Sequence, residues 1–236
     1  MSEEESGPIN DNFMEDLFTN TEYKLQHIEM PSGRSIDFNA LISSNTDPDL
    51  TGQIIWPGCK LFLTYIDGNL DWFKGKSCIE LGSGIAICTL FLTKFGAPKL
   101  AIATDGNKLV VDLMKSNAEL SGCKNIKCKY LHWGVEAADA FKAQNGIFDI
   151  VMGSEIVYDE ACVDPLVVTI NSLLSQDGRF IVGHIFRYNR VTRYFMKRMD
   201  ETGFELEKEI KWDDIMNYRM EMIEGSVLIF RRKKTL

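Results

Sequence analysis

Hydrophobic and polar positions change period along this chain, and each change marks an element. Residues 22–43 alternate on either side of Pro31-Ser32-Gly33, which predicts a β-hairpin with its turn there. Behind Trp56-Pro57, the residues Leu61, Phe62, Tyr65 and Ile66 recur at helical spacing. From residue 77 onward, short apolar runs alternate with helical patterns. The runs at 77–81, 99–104, 126–131, 147–153 and 179–186 predict strands, and the stretches 85–95, 107–120, 135–143, 161–174 and 189–201 predict helices. Gly96, Gly122 and Gly203 stand where helices stop, and Asp177-Gly178 reads as a turn. Two more strands are expected at 204–210 and 226–231, with no helical pattern convincing enough to join them. Strand–helix alternation with short loops implies an α/β fold. The expectation is a doubly wound seven-stranded sheet, mostly parallel, with an antiparallel last strand and an N-terminal hairpin.

Composition narrows the class. A chain of 236 residues that is 45% hydrophobic can bury a full core as one domain. The expected division is an acidic, disordered lead at 1–20 and one domain over 21–236, made of a β element (21–55) and a core (56–236). The first thirty residues carry eight acids against one base, Lys24, and so hold most of the net charge of −8. An acidic lead on a near-neutral body does not suit binding to a nucleic-acid backbone. Arg231 to Lys234 are read as a solvated chain end. No run of about 18 apolar residues occurs, so no membrane span is expected. The acidic N-terminus lacks the apolar region of a secretory signal. None of the six cysteines pairs as C-x-x-C, which fits reduced thiols in a cytoplasmic, or also nuclear, protein. His27, His132 and His184 show no metal-ligand spacing, so no metal is expected, and His132 is read as structural or exposed.

The chemistry gathers at Lys76 to Ile85. An apolar strand ends in Glu80, breaks into Gly82-Ser83-Gly84, and re-enters a helical pattern. Such a turn presents bare N–H groups at a helix start, and glycines let a ligand approach the main chain. Twenty-one residues after Gly84, at the end of the next run, stands Asp105, placed to accept hydrogen bonds from ribose hydroxyls. Nicotinamide dinucleotides favour a third glycine where this chain has Ile87. A carboxylate at Glu80 would repel a pyrophosphate and suits a cationic amine. S-adenosyl-L-methionine, with an ammonium, a sulfonium, a ribose and no phosphate, meets these terms.

These residues resemble the seven-strand class I methyltransferases and, more narrowly, methyltransferase family 16, over roughly 22–230. The landmarks are Trp56-Pro57, Glu80-Leu81-Gly82-Ser83-Gly84, Thr104-Asp105-Gly106-Asn107, Leu131-His132-Trp133-Gly134, and Phe148-Asp149-Ile150-Val151 leading to Glu155-Ile156-Val157-Tyr158. The resemblance implies a Rossmann-like fold and S-adenosyl-L-methionine as cofactor, with S-adenosyl-L-homocysteine as product. It also implies a protein substrate methylated on lysine. Methylation of arginine, histidine or a small molecule is the alternative, as is a catalytically weak cofactor-binding interaction protein. The cofactor is expected against Trp56, Gly82, Ser83, Gly84, Asp105, Asn107, Trp133 and Ser154. Glu80 either caps the following helix or, by the resemblance, faces the methionine part. Trp56 and Trp133 can equally fill core, and Asn107 can be a helix cap. Glu155 and Tyr158 are the expected catalytic pair. The family pattern is Asp-x-x-Tyr, and here the acid is one methylene longer. Phe186 and Tyr188 are further candidates for the acceptor wall. The loops at 44–55, 155–165, 186–192 and 211–225 should select the substrate, but carry no readable code for it or for oligomeric state.

Overall fold

The computed structural model describes residues 22–42, 48–216 and 224–234. The acidic lead at 1–20 lies outside them. Strands β1 (Lys24–Glu29) and β2 (Ser35–Ala40) form the expected antiparallel hairpin, with Ile28 opposite Ile36. Gly33 makes the turn at φ +81°. Ile36, Phe38 and Ala40 of β2 are buried, whereas Lys24 and Leu25 of β1 are exposed, so one strand of the pair faces the core. The helix α1 (Pro57–Gly68) starts with Pro57 in its first turn, where a missing N–H costs nothing. It buries Leu61, Phe62, Tyr65 and Ile66, and is followed by the single turn α2 (Leu70–Phe73).

The core alternates β3 (Ser77–Glu80), α3 (Ile87–Phe95), β4 (Leu100–Asp105), α4 (Lys108–Leu120), β5 (Ile126–Tyr130), α5 (Val135–Asn145), β6 (Phe148–Ser154), α6 (Glu160–Leu173), β7 (Leu174–Ile185) and α7 (Asn189–Glu201). It closes with β8 (Phe204–Lys211), the short α8 (Trp212–Ile215) and β9 (Gly225–Arg232). The sheet order is β5-β4-β3-β6-β7-β9-β8. β3 to β7 are parallel, and β9 runs antiparallel to both β7 and β8.

The last strand is thus the antiparallel one, but it lies inside the sheet rather than at its edge. Its stretch from Gly225 to Phe230 is buried throughout, so it belongs between partners. β8 carries Glu205, Glu207, Lys208 and Glu209, and charge on an edge strand blocks further pairing. β7 also begins earlier than expected. Leu174 pairs with Phe148, Arg179 pairs with Ile150, and Asp177-Gly178 falls within the register break between them. Two buried clusters cover the two faces of the sheet. One gathers the hairpin, α1, α3 and α4; the other gathers α5, α6 and α7. The winding order of the parallel strands switches between β3 and β6, which opens a crevice at their carboxyl ends. Among the described residues, no helix is long and apolar enough to cross a membrane.

Candidate active site

The turn between β3 and α3 holds Gly82 at φ +60°, Gly84 at +51° and Ala86 at +63°. Glycine is required at the first two positions for space as well as conformation. A Cβ on Gly82 would lie 2.8 Å from Ile156 Cγ2 and 3.1 Å from Trp133 Cζ2. One on Gly84 would lie 2.6 Å from the Gly52 carbonyl oxygen. Ser83 ties the turn to β4: its N–H donates to Thr104 O at 2.8 Å, and its Oγ accepts from Thr104 N–H at 3.0 Å. Asp105 ends β4 and reaches across to the glycine turn. Its Oδ2 accepts the Gly84 N–H at 3.1 Å, and its Oδ1 accepts the Asn107 N–H at 3.0 Å. Burial raises the Asp105 pKa above the ordinary carboxylate value, against the lowering effect of the N–H groups of Asn107, Gly84 and Gly106.

A cavity of about 580 Å³ opens here. Its wall includes Trp56, Gly82, Ser83, Gly84, Asp105, Asn107, Trp133, Ser154, Glu155 and Tyr158. Asn107 also caps α4, accepting the Leu109 N–H at 2.8 Å, and it lines the cavity. Trp56 donates its indole N–H to Thr51 O at 3.0 Å. Tyr158 is half-exposed; burial, then Cys162, Asp105 and Asp159, push its phenol up to about 12, so it stays protonated at neutral pH.

Glu80 departs from the reading drawn from the resemblance. It is fully buried behind the turn and is not part of the cavity wall. Its carboxylate accepts both the N–H and the hydroxyl of Thr89, in the first turn of α3. The side chain of the last β3 residue points under the turn, toward the helix N-terminus that favours an anion. Burial nevertheless raises its pKa to about 7, with the Thr89 hydrogen bonds opposing.

Glu155 sits at φ +56°, in the left-handed region, just beyond β6. Its Oε1 accepts the Gly58 N–H at 2.7 Å, from the first turn of α1. Arg187, in the loop after β7, donates to Oε1 at 2.9 Å and to Oε2 at 3.3 Å. The same guanidinium lies 5.1 Å from the centre of the Trp56 ring. Both carboxylate oxygens are therefore engaged.

Other wall residues are marked in the sequence only by the loop that holds them, Thr51, Gly52 and Ile54 in 44–55 and Ile156, Cys162 and Pro165 in 155–165, while Cys59 and Tyr130 carry no signal. His132, read as structural or exposed, also lines the cavity. Of the acceptor-wall candidates, Phe186 instead packs edge-on against His184, and Tyr188 is exposed. A larger open groove, about 1180 Å³, lies away from the glycine turn. Across it Arg34 pairs with Asp67 and Arg179 with Glu207, and the Asp149 carboxylate accepts from Ser77 behind the wall.

The strand order, with a glycine turn and an acid meeting at the switch point, defines a Rossmann-like methyltransferase fold. A TehB-like SAM-dependent methyltransferase from Corynebacterium glutamicum shares it, with a TM-score of 0.54 at 19% identity over 73% of this chain and 88% of that one. The family model described as lysine methyltransferase matches residues 37–202, and the chain belongs to that family. Calmodulin-lysine N-methyltransferase of Arabidopsis thaliana is 28% identical over 138 residues, 56% of this chain and 44% of its own length. Protein-lysine methyltransferase METTL21E of Bos taurus is 25% identical over 190 residues, 78% of this chain and 59% of its own. The chain thus spans about half the length of these curated relatives.

Proposed function

We propose that this chain, with residues 21–236 acting as one domain, transfers a methyl group from S-adenosylmethionine to a lysine side chain of a protein. The observation that carries the reading is the convergence of the Gly82-Ser83-Gly84 turn and the Asp105 carboxylate on one cavity, in a chain of the lysine methyltransferase family. The cavity fits such a cofactor. Its volume, about 580 Å³, falls within the usual range of about 300–1,000 Å³ for ligand sites. The glycine turn offers main chain without Cβ atoms, and the wall holds an acid for ribose hydroxyls and flat indole faces for a base. The turn and Asp105 would hold the nucleoside, Trp133, which lies beside Gly82, would supply a flat face for its base, and Trp56 and Ser154 would complete the wall. The bound cofactor supplies an electrophilic methyl group on sulfur.

The protein's remaining work is alignment and proton control. A free lysine amine has a pKa of about 10.4 and must lose its proton to act as a nucleophile. Tyr158, protonated at neutral pH, orients that amine by hydrogen bonding rather than by serving as a phenolate base. Glu155 presents negative charge at the cavity wall and attracts the ammonium. Its Oε1 is held by the Gly58 N–H, so the carboxylate acts through its charge rather than as a base, and the proton leaves to solvent. The six free cysteines accord with a cytoplasmic or nuclear setting.

The test is incubation with methyl-labelled S-adenosylmethionine and a proteome extract, followed by mass spectrometry of the labelled band. Label on lysine is expected, and its loss in Gly84→Arg. Label on arginine or histidine would overturn the lysine assignment. No label, with S-adenosylhomocysteine still bound, would leave a cofactor-binding interaction protein.

A further inference from the structure

We propose that Arg187 is a built-in stand-in for the target lysine: its guanidinium fills a cation subsite formed by the Trp56 ring and the Glu155 carboxylate, and the incoming ammonium must displace it. This inference rests on the methyltransferase reading and deepens it by locating where the target's charge is recognised.

Three observations carry it. First, the pair of groups around Arg187 is what binds organic cations in general. An aromatic face at 5.1 Å and a carboxylate at 2.9 Å together attract any desolvated cation, ammonium or guanidinium. Second, both groups belong to the cavity wall, so the subsite adjoins the space assigned to the cofactor. Third, the subsite is built without Arg187. Glu155 Oε1 accepts the Gly58 N–H, its own N–H donates to Gly183 O at 2.9 Å, and its side chain is only 10% exposed. The Trp56 indole is fixed separately on Thr51 O. Arg187, by contrast, lies in the short link between β7 and α7, with its side chain 36% exposed. It is the more exposed member of its ion pair with Glu155. Its departure leaves the carboxylate oriented by the helix α1 N-terminus and ready for a second cation.

A clamp and a stand-in make opposite forecasts. Were Arg187 a clamp for Glu155, its loss would loosen the subsite and weaken cation binding. As an occupant, it competes with the substrate, and its loss strengthens cation binding. The probe is n-butylammonium, which carries the lysine side chain's charge and stem, titrated by calorimetry into the whole 236-residue chain saturated with S-adenosylhomocysteine. Arg187→Gln should bind it at least fivefold more tightly than the wild type. Arg187→Lys restores an internal cation and should bind it as weakly as the wild type. Circular dichroism and the S-adenosylhomocysteine affinity serve as controls, and both should match the wild type in each variant. Equal or weaker n-butylammonium binding in Arg187→Gln, with the cofactor product bound normally, overturns the stand-in while sparing the methyltransferase reading. So does tightening in both variants alike. Failure of S-adenosylhomocysteine to bind the wild type overturns the functional reading beneath it.

Discussion

Glu80→Gln isolates the cost of an ionised carboxylate buried behind the glycine turn. In the folded chain, burial lifts the Glu80 pKa from 4.5 to about 7, although Thr89 offers two hydrogen bonds to the anion. A raised carboxyl pKa means that the native state binds more protons than the unfolded chain between these values. Stability therefore falls as pH rises through that window, and is level above it with respect to this group. At about 1.4 kcal/mol per pH unit, the rise corresponds to about 3 kcal/mol by pH 8. Gln has the shape of the neutral acid and keeps one oxygen to accept from Thr89. At pH 5 the variant should lie within about 1 kcal/mol of the wild type. At pH 8 it should be the more stable of the two by roughly 2–3 kcal/mol. Urea unfolding at half-unit steps from pH 4.5 to 8 reads this directly. Groups titrating elsewhere move both proteins together, so the difference curve reports Glu80 alone. A difference that stays flat across the range refutes the reasoning, as would one that grows toward acid.

Gly82→Ala combines a left-handed φ with a Cβ 2.8 Å from Ile156 Cγ2, and should cost about 1–3 kcal/mol in urea unfolding. It should also weaken S-adenosylhomocysteine binding at least tenfold by calorimetry. Asn117, fully buried on α4, donates to Asn39 O at 3.0 Å and Ile85 O at 3.2 Å, and accepts the Asn39 N–H at 2.7 Å. Asn117→Ala leaves those groups unpaired. It should destabilise the protein by at least about 2 kcal/mol and speed hydrogen exchange of the Asn39 amide. Tyr158→Phe removes the hydroxyl of a half-exposed side chain and should change stability by less than about 0.5 kcal/mol. S-adenosylhomocysteine affinity should be unaltered, while the single-turnover methylation rate falls at least tenfold. An unaltered rate removes Tyr158 from the reaction.

What could be read from the sequence was what is decided locally. Gly82, Gly84 and Asp105 announce themselves because a strand that breaks into glycines before a helix fixes its own turn chemistry within a few residues. The helices from 107 and 189 onward likewise begin within one residue of where their patterns start. Glu80 was harder. Whether its carboxylate faces the cavity or the α3 N-terminus depends on how the turn folds back, and Thr89 settles that only once packed. The place of β9 between β7 and β8 is a choice among pairing partners, which neither strand encodes alone. The wall at Thr51 and Gly52 comes from a six-residue 3-10 stretch too short to show periodicity. Asn117 looks like any polar helix residue until the hairpin is docked beside it. The Arg187–Glu155 pair joins elements 32 residues apart, and no spacing rule connects them.

Calorimetric titration of the purified chain with S-adenosylhomocysteine, set beside an identical titration with nicotinamide adenine dinucleotide, bears most directly on what the glycine turn holds. One-to-one binding of the sulfur nucleoside is expected, weakened at least tenfold by Asp105→Ala, with no heat from the dinucleotide. A dinucleotide that binds, or a sulfur nucleoside that does not, would contradict the assignment of this cavity.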